Sequence, residues 1–104
     1  MLSSRLIVFL RGASLAVLLM AAGCQTAPPV QEMSDARQAI TVAKEAGAAE
    51  HAGDDLNAAV DFLKSAEQAL GSQRYARARR DALQAKSKAL EALRRSEIEQ
   101  EENP

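Results

Sequence analysis

The chain has 104 residues, with 13 basic and 14 acidic side chains and a formal net charge of −1. A chain of this length forms one small domain, and the balanced charge argues against nucleic-acid binding. With one cysteine, no Trp, one Tyr and two Phe, it has no intramolecular disulfide and few aromatic side chains for a deep core.

Residues 1–23 have the three-part organisation of a secretory signal peptide. Arg5 and Arg11 precede an apolar stretch, which ends in the small residues Ala22 and Gly23. The stretch is well short of the ~20 apolar residues that a membrane-spanning helix needs. We therefore predict that this segment directs export and is then removed.

Cys24, the only cysteine, follows Gly23 directly. This junction resembles the lipobox of bacterial lipoproteins, although Ala21 stands where that pattern most often has leucine. The resemblance implies cleavage between Gly23 and Cys24, a diacylglycerol on the cysteine sulfur, and an acyl chain on the new amine. Several chains on one residue make a durable anchor, because each buried methylene contributes about 0.8 kcal/mol. The alternative is cleavage after Ala27, which would leave Cys24 in the discarded peptide.

Gln25, and not aspartate, follows the cysteine. By resemblance to lipoprotein sorting, this residue implies transfer to the outer membrane of a bacterium that has two membranes. The expected location is therefore the inner leaflet of the outer membrane, with the protein facing the periplasm.

Residues 24–33 are predicted to form a flexible tether, because Pro28 and Pro29 favour extended backbone. Residues 34–100 contain no proline and are rich in Ala, Leu, Glu, Gln, Lys and Arg, the strong helix formers. This composition predicts an all-α domain, followed by an acidic tail at residues 101–104. The part after the signal peptide retains 11 basic and 14 acidic residues.

Three helices are expected, arranged as an antiparallel bundle or as an extended helical hairpin. Asp35 with Gln38 is expected to cap the first helix, and Gly53 to end it in a left-handed conformation. Glu91 and Arg95 have the i,i+4 spacing of a helical ion pair. The predicted helices cover about residues 35–52, 55–70 and 73–99.

Apolar residues recur at spacings of three and four along each helix, which indicates one buried face per helix. Most of them are alanine, so the helices should approach closely and bury little apolar surface. We expect a marginally stable domain, which a partner or self-association would stabilise. The expected core residues are Ala36, Ala39, Ile40, Ala43 and Gly47 in the first helix, Leu56, Ala59, Leu63, Ala66 and Leu70 in the second, and Tyr75, Ala78, Ala82, Ala85, Ala89 and Ala92 in the third.

The second and third helices resemble one tetratricopeptide hairpin. The resemblance implies two antiparallel helices joined by a short turn, and a single repeat cannot form a solenoid. Ser65 and Ala82 depart from the pattern, which prefers larger apolar residues at those positions. The residues that carry it are Phe62, Ala66, Tyr75, Ala78 and Ala85.

Residues 36–92 are also similar to a group of short, alanine-rich envelope lipoproteins described only as a domain of unknown function. Members of that group occur alone behind a lipobox or fused to a peptidoglycan-binding module of the outer-membrane-protein-A type. The similarity implies location and fold, since the group has no agreed activity. The residues that carry it are Ala36, Arg37, Ala46, Gly47, Ala48, Tyr75, Ala78, Arg79 and Ala82.

No constellation of nucleophile, base and stabilising group is evident in the sequence, so we expect no enzymatic activity. His51, the only histidine, falls where the first helix is expected to end and is interpreted as an exposed surface residue. A structural zinc site needs four Cys or His ligands, so no metal is expected. Asp54 and Asp55 are interpreted as helix caps that the dipole favours. The lipid on Cys24 is the only expected cofactor.

Arg74, Arg77, Arg79 and Arg80 form a basic run at the start of the third helix. Cations here oppose the helix dipole by a few tenths to about 1 kcal/mol, so their placement suggests a function. We interpret them as a candidate interaction patch for anionic lipid or glycan groups, or for an acidic partner protein. The alternative is structural: they would lie beside the negative end of the second helix, with Asp81 adjacent.

The sequence favours an envelope lipoprotein that acts as a structural or adaptor module. It would dock on another envelope protein, or on a second copy, through alanine-lined grooves or the arginine patch. The alternative is a periplasmic binding module for a small amphiphile or peptide, which the shortage of aromatic side chains disfavours. Covalent attachment to peptidoglycan is disfavoured because lipoproteins of the murein type end in lysine, and this chain ends in Asn103-Pro104.

Overall fold

The computed structural model describes residues 27–103. The predicted signal peptide, its cleavage point after Gly23, and Cys24 lie outside the described residues, as does Pro104. All regular structure in the described part is helical, which confirms the predicted all-α class. The helices, in chain order, are α1 (Val30–Glu45), α2 (Ala48–His51), α3 (Gly53–Gly71) and α4 (Tyr75–Glu102).

The three long helices pack side by side, and α3 runs opposite to both α1 and α4. Glu32 near the start of α1 pairs with Arg79 near the start of α4 at 3.2 Å, so these two helices are parallel. Asp55 near the start of α3 pairs with Arg95 near the end of α4 at 2.9 Å, so these two are antiparallel. α4 contacts both α3 and α1 extensively. Within residues 27–103, no helix has the length and apolar character needed to cross a bilayer.

The folded domain begins earlier than predicted, since α1 starts at Val30 inside the expected tether. Pro29 immediately precedes the helix, where its missing N–H breaks no helical hydrogen bond. Met33 lies one turn into α1, is 2% exposed, and packs against Ala66 and Ala82. Burial of this large side chain stabilises an extra turn that the alanine pattern did not indicate.

The first predicted helix is divided in two at Gly47, whose backbone is left-handed with a φ of 85°. The Ala46 carbonyl beside it accepts a hydrogen bond from Gln100 Nε2 of α4 at 2.6 Å. A Cβ atom on Gly47 would lie 3.2 Å from that nitrogen and 3.3 Å from His51 Cδ2. The left-handed helix end expected at Gly53 is therefore at Gly47, where the chain turns closely against α4.

Gly53 is instead the first residue of α3, and a Cβ atom on it would meet nothing within 4 Å. Asp54 and Asp55 lie in the first turn of α3 but do not cap it, since no side chain caps this helix. Their carboxylates still interact favourably with the positive end of the helix dipole. Asp35, the other expected cap, lies inside α1, where its Oδ1 accepts a hydrogen bond from Gln31 Nε2 at 2.8 Å.

The predicted alanine-rich interface is confirmed, and it forms most of the core. Ser96 extends the α4 stripe by one turn, and its Oγ donates to the Ala92 carbonyl at 2.8 Å, which satisfies the buried hydroxyl. Leu63, Leu70 and Tyr75 are only half-buried. The buried residues of the three long helices are Ala78, Ala82, Ala85, Ala89, Ala92 and Ser96 in α4, Met33, Ala36, Ala39, Ile40 and Ala43 in α1, and Leu56, Ala59, Ala66 and Ala69 in α3.

Candidate interaction surfaces

The predicted arginine patch lies where α3 turns into α4, but the structure assigns its members different roles. Arg79 is half-buried between α4 and the start of α1. Its Nε donates to Glu32 Oε1 at 3.2 Å, and its Nη2 donates to the Ala27 carbonyl at 3.2 Å. Arg79 therefore has a structural role and does not belong to the exposed patch, because its side chain is mostly buried and two of its nitrogens donate to the protein's own groups.

Arg77 lies on the side of α4 that faces α3. Its Nε is 3.6 Å from Asp81 Oδ2, and its side chain is 54% exposed. The same carboxylate oxygen accepts a hydrogen bond from Ser65 Oγ on α3 at 2.7 Å. Because Asp81 is shared between the two helices, it holds Arg77 at the surface without burying it.

Arg74 and Arg80 are exposed, and neither forms a salt bridge with any residue between 27 and 103. The first turn of α4 contains no acidic residue to offset them. We call Arg74, Arg77 and Arg80 the turn arginines. A shallow surface cleft of about 200 Å³ lies beside two of them, lined by Ser65, Gln68, Ala69, Ser72, Arg74 and Arg77.

Several large apolar side chains lie on the outside of the bundle, whose interior is mostly alanine. Leu83 and Leu90 on α4 are 51% and 47% exposed, and Val42 on α1 is 40% exposed. The two leucines are seven residues apart and so share one face of the helix. We call these three residues the leucine face. A shallow groove of about 220 Å³ runs beside it, lined by Asp35, Gln38, Ala39, Val42, Lys86 and Leu90.

The alanine seams cannot serve as docking grooves, contrary to the expectation from sequence. The stripe on α4 is fully covered by α1 and α3, and its residues are 0% exposed. The leucine face and the turn arginines are among the exposed surfaces that remain for a partner. Along the sequence, Leu83 and Leu90 flank the alanine stripe of α4.

Acidic residues collect at the opposite end of the bundle. His51 is half-buried there, with its Nδ1 3.4 Å from Glu99 Oε1. Within residues 27–103, no three His, Cys, Asp or Glu side chains are grouped closely enough to hold a metal ion.

The predicted Glu91–Arg95 pair is looser than expected. Arg95 Nε lies 3.9 Å from Glu91, because the guanidinium instead reaches Asp55 across the helix interface. Glu91 pairs with Arg94, whose Nη2 is 2.6 Å from Glu91 Oε1. That hydrogen bond from Arg94 lowers the pKa of Glu91 and raises the pKa of Arg94.

The extent of the domain agrees with a comparison against known protein families. Residues 31–103 match the family model described as Domain of unknown function (DUF4398), which confirms the family type that the alanine pattern suggested. Among curated proteins and solved structures, no match to this chain is found. The match covers well over half of the chain and nearly all of the described helices. The chain therefore belongs to the DUF4398 family.

Proposed function

We propose that the protein is a membrane-anchored envelope lipoprotein that acts as a structural or adaptor module, without catalysis. Cys24 would carry a diacylglycerol and an N-acyl chain after cleavage behind Gly23, and Gln25 would direct the protein to the outer membrane. The support for the anchor is the lipobox-like junction and a lone cysteine in an export-type sequence. The helical domain would then face the periplasm from the inner leaflet.

One observation carries the adaptor role: the bundle buries mostly alanine and leaves Leu83 and Leu90 of α4 exposed. Fully burying a leucine side chain favours association by about 1.5–3 kcal/mol. Leu83 and Leu90 are each about half exposed within the bundle, so much of that gain is left for another molecule. A partner that lays an apolar helix along α4 would contact both leucines at once, together with Val42.

The alternative, a binding module for a small amphiphile or peptide, has less support. The groove beside the leucine face has a volume of about 220 Å³, below the ~300–1,000 Å³ that is usual for ligand pockets. A larger cleft of about 540 Å³ at the acidic end is lined mainly by charged side chains and by no aromatic residue other than His51, unlike the mostly apolar lining of such pockets. The grooves described above are open to the surface, and the helices pack through alanine without a gap lined by aromatic side chains. A protein surface fits this site better than a small ligand does.

The family resemblances also support an envelope location and an adaptor role. Relatives joined to outer-membrane-protein-A-like modules would place this domain next to peptidoglycan. The likeness of α3 and α4 to a tetratricopeptide hairpin supports a scaffold for protein contacts. Both are part of the proposal.

The anchor is tested by Cys24→Ser in the native host. We expect the precursor to stay uncut and to lose labelling by radioactive palmitate, because the acceptor sulfur is gone. Normal processing of the variant would contradict lipidation and would support cleavage after Ala27.

The adaptor role is tested by a photo-crosslinking amino acid at Leu90 in intact cells. Gln84 is the matched control, since it is exposed on α4 but lies toward α3. We expect one discrete adduct from position 90 and none from position 84. An adduct of twice the chain mass would indicate self-association, and equal labelling from both positions would rule out the leucine face as a specific surface.

A further inference from the structure

The N-terminal entry to the bundle lies at the same end as the turn arginines. Arg79 Nη2 binds the Ala27 carbonyl at 3.2 Å. Arg80 is the next residue of α4, and Arg74 immediately precedes that helix. Ala27 is only three positions after Cys24, and an extended chain covers at most about 3.6 Å per residue. A lipid on Cys24 would therefore hold this end of the bundle within about 11 Å of the membrane surface.

The two ends of the bundle carry opposite charge. The end with the α3–α4 turn, residues 27–34 and 64–82, contains five basic and three acidic side chains. The other end, residues 44–57 and 91–103, contains three basic and nine acidic side chains. Contacts between Ala46 and Gln100, and between Asp55 and Arg95, place these last two segments together. The bundle is thus polarised along its length, with the basic end where the chain enters.

The turn arginines are free to bind an anion. The guanidinium groups of Arg74 and Arg80 donate no hydrogen bond to any residue between 27 and 103. Arg77 is held by Asp81 at 3.6 Å but remains half exposed. As the structural alternative expected, Arg74 and Arg77 lie beside the last turn of α3, and Arg77 faces Asp81. No guanidinium of the turn arginines, however, donates a hydrogen bond to a carbonyl of residues 27–103. A planar guanidinium with its donors exposed matches the geometry of a phosphate group.

We propose that the turn arginines contact the phosphate groups of anionic lipids in the membrane that holds the anchor. This proposal rests on the proposed lipidation of Cys24. It adds to the anchor a defined orientation of the helical bundle relative to the membrane. The basic end lies on the membrane, and repulsion keeps the acidic end away from it. The 28 residues of α4 span about 42 Å at 1.5 Å per residue, so the acidic end projects far into the periplasm.

The first test uses arginine modification on the full chain reconstituted into vesicles. The vesicles are phosphatidylcholine, with or without phosphatidylglycerol, and phenylglyoxal modification is followed residue by residue by mass spectrometry. We expect the turn arginines to react several-fold more slowly in the anionic vesicles. Arg94 at the acidic end is the internal control, since its side chain is 60% exposed and should react equally in both.

The salt dependence of the modification rate distinguishes an ionic contact with phosphate from burial of the arginines. In about 1 M salt the Debye length falls to about 3 Å, and the protection of the turn arginines should disappear. Equal modification rates in the two kinds of vesicle would overturn the proposal. Protection that appears only after other envelope proteins are added would overturn it too, since the arginines would then bind a protein.

A second test uses Tyr75, the only tyrosine in a chain without tryptophan, as a fluorescent donor. It begins α4 next to Arg74, so energy transfer to a dansyl-headgroup lipid reports how close this end lies to the membrane. Each arginine at an anionic surface favours contact by about fivefold. Replacing all three turn arginines should lower the equilibrium ratio of bundles whose basic end contacts the membrane to bundles whose basic end does not. The expected decrease is on the order of 100-fold.

The variant is the triple replacement Arg74→Gln, Arg77→Gln and Arg80→Gln. The matched control, Lys44→Gln, Arg94→Gln and Arg95→Gln, removes the same charge from the acidic end. We expect energy transfer to fall in the first variant and to stay unchanged in the second, with circular dichroism showing that both remain folded. Equal transfer in the two variants would contradict the contact.

Failure of the anchor and failure of the contact give different results. The intact mass of each preparation reports the acyl chains on Cys24. An acylated chain with unprotected arginines contradicts the contact and leaves the anchor standing. A chain without acyl groups whose arginines are still protected supports the contact and contradicts the anchor.

Discussion

Arg79 on α4 donates a hydrogen bond to the carboxylate of Glu32 on α1 at 3.2 Å, although the two residues are 47 positions apart in the chain. The same guanidinium binds the Ala27 carbonyl. One side chain therefore joins the starts of two helices and determines where the N-terminal segment leaves the bundle.

Replacing Arg79 by Gln should lower the free energy of unfolding by about 1 kcal/mol, because a partly exposed ion pair is worth up to that amount. Urea denaturation followed by circular dichroism measures the change. Arg80→Gln is the control, since that side chain is exposed and makes no ion pair with residues 27–103, and it should change stability by less than about 0.5 kcal/mol. Equal effects of the two substitutions would show that the contacts of Arg79 with Glu32 and Ala27 do not contribute to stability.

Gly47→Ala should destabilise the domain by about 1–2 kcal/mol, because a left-handed backbone crowds a Cβ atom against the neighbouring carbonyl. The new atom would also press on Gln100 and His51. Gly53→Ala should have the opposite effect. It adds a methyl group in open space at a helical position, so it should stabilise α3 by up to about 1 kcal/mol. Thermal unfolding of the two variants should therefore shift in opposite directions.

Ala85→Leu should destabilise the bundle by about 1–3 kcal/mol or more, because the seam has no room for three additional carbon atoms. Ala85 is 0% exposed between the helices. Leu83→Ala, two residues away, removes an exposed side chain and should leave the free energy of unfolding almost unchanged. The same Leu83→Ala variant should weaken the crosslink from position 90. A large loss of stability in Leu83→Ala would contradict the assignment of that leucine to a docking surface.

The carboxyl group of Glu91 should titrate below its ordinary value of 4.5, because Arg94 donates a hydrogen bond to its charged form. The stabilisation from this pair is thus present at neutral pH and is lost as the pH falls through the lowered pKa. Carbon-detected NMR titration measures it. Arg94→Gln should return the pKa toward 4.5, whereas Arg95→Gln should shift it less, since Arg95 Nε is 3.9 Å away.

The parts of the fold that follow from local pattern were predictable. The spacing of Ala78, Ala82 and Ala85 identified the buried face of α4, because helix geometry places such residues on one stripe. The start of α1 was not predictable in this way. Met33 is buried by residues far away in sequence, Ala66 and Ala82, and no local spacing reports such a contact.

The candidate surfaces show the same limit. The run of four arginines was evident, but which of them was free depended on Glu32 and the Ala27 carbonyl, both distant in sequence. From sequence, Gly53 was expected to be the left-handed residue, and Gly47 was expected to lie on the buried face inside the first helix. The close approach of Gln100 on α4 distinguishes them, and only the packed structure contains it.

The buried stripe of α4 also limits how this family can vary. Alanine is nearly the smallest side chain available, so almost every replacement in the stripe adds volume, and only glycine and serine avoid it. Ser96 already represents that second choice at the far end of the stripe. Along α4, positions that do not tolerate substitution should therefore recur every three or four residues, and the positions between them should tolerate it. Exposed residues of α4 can change without disturbing the packing, while the buried stripe preserves the fold.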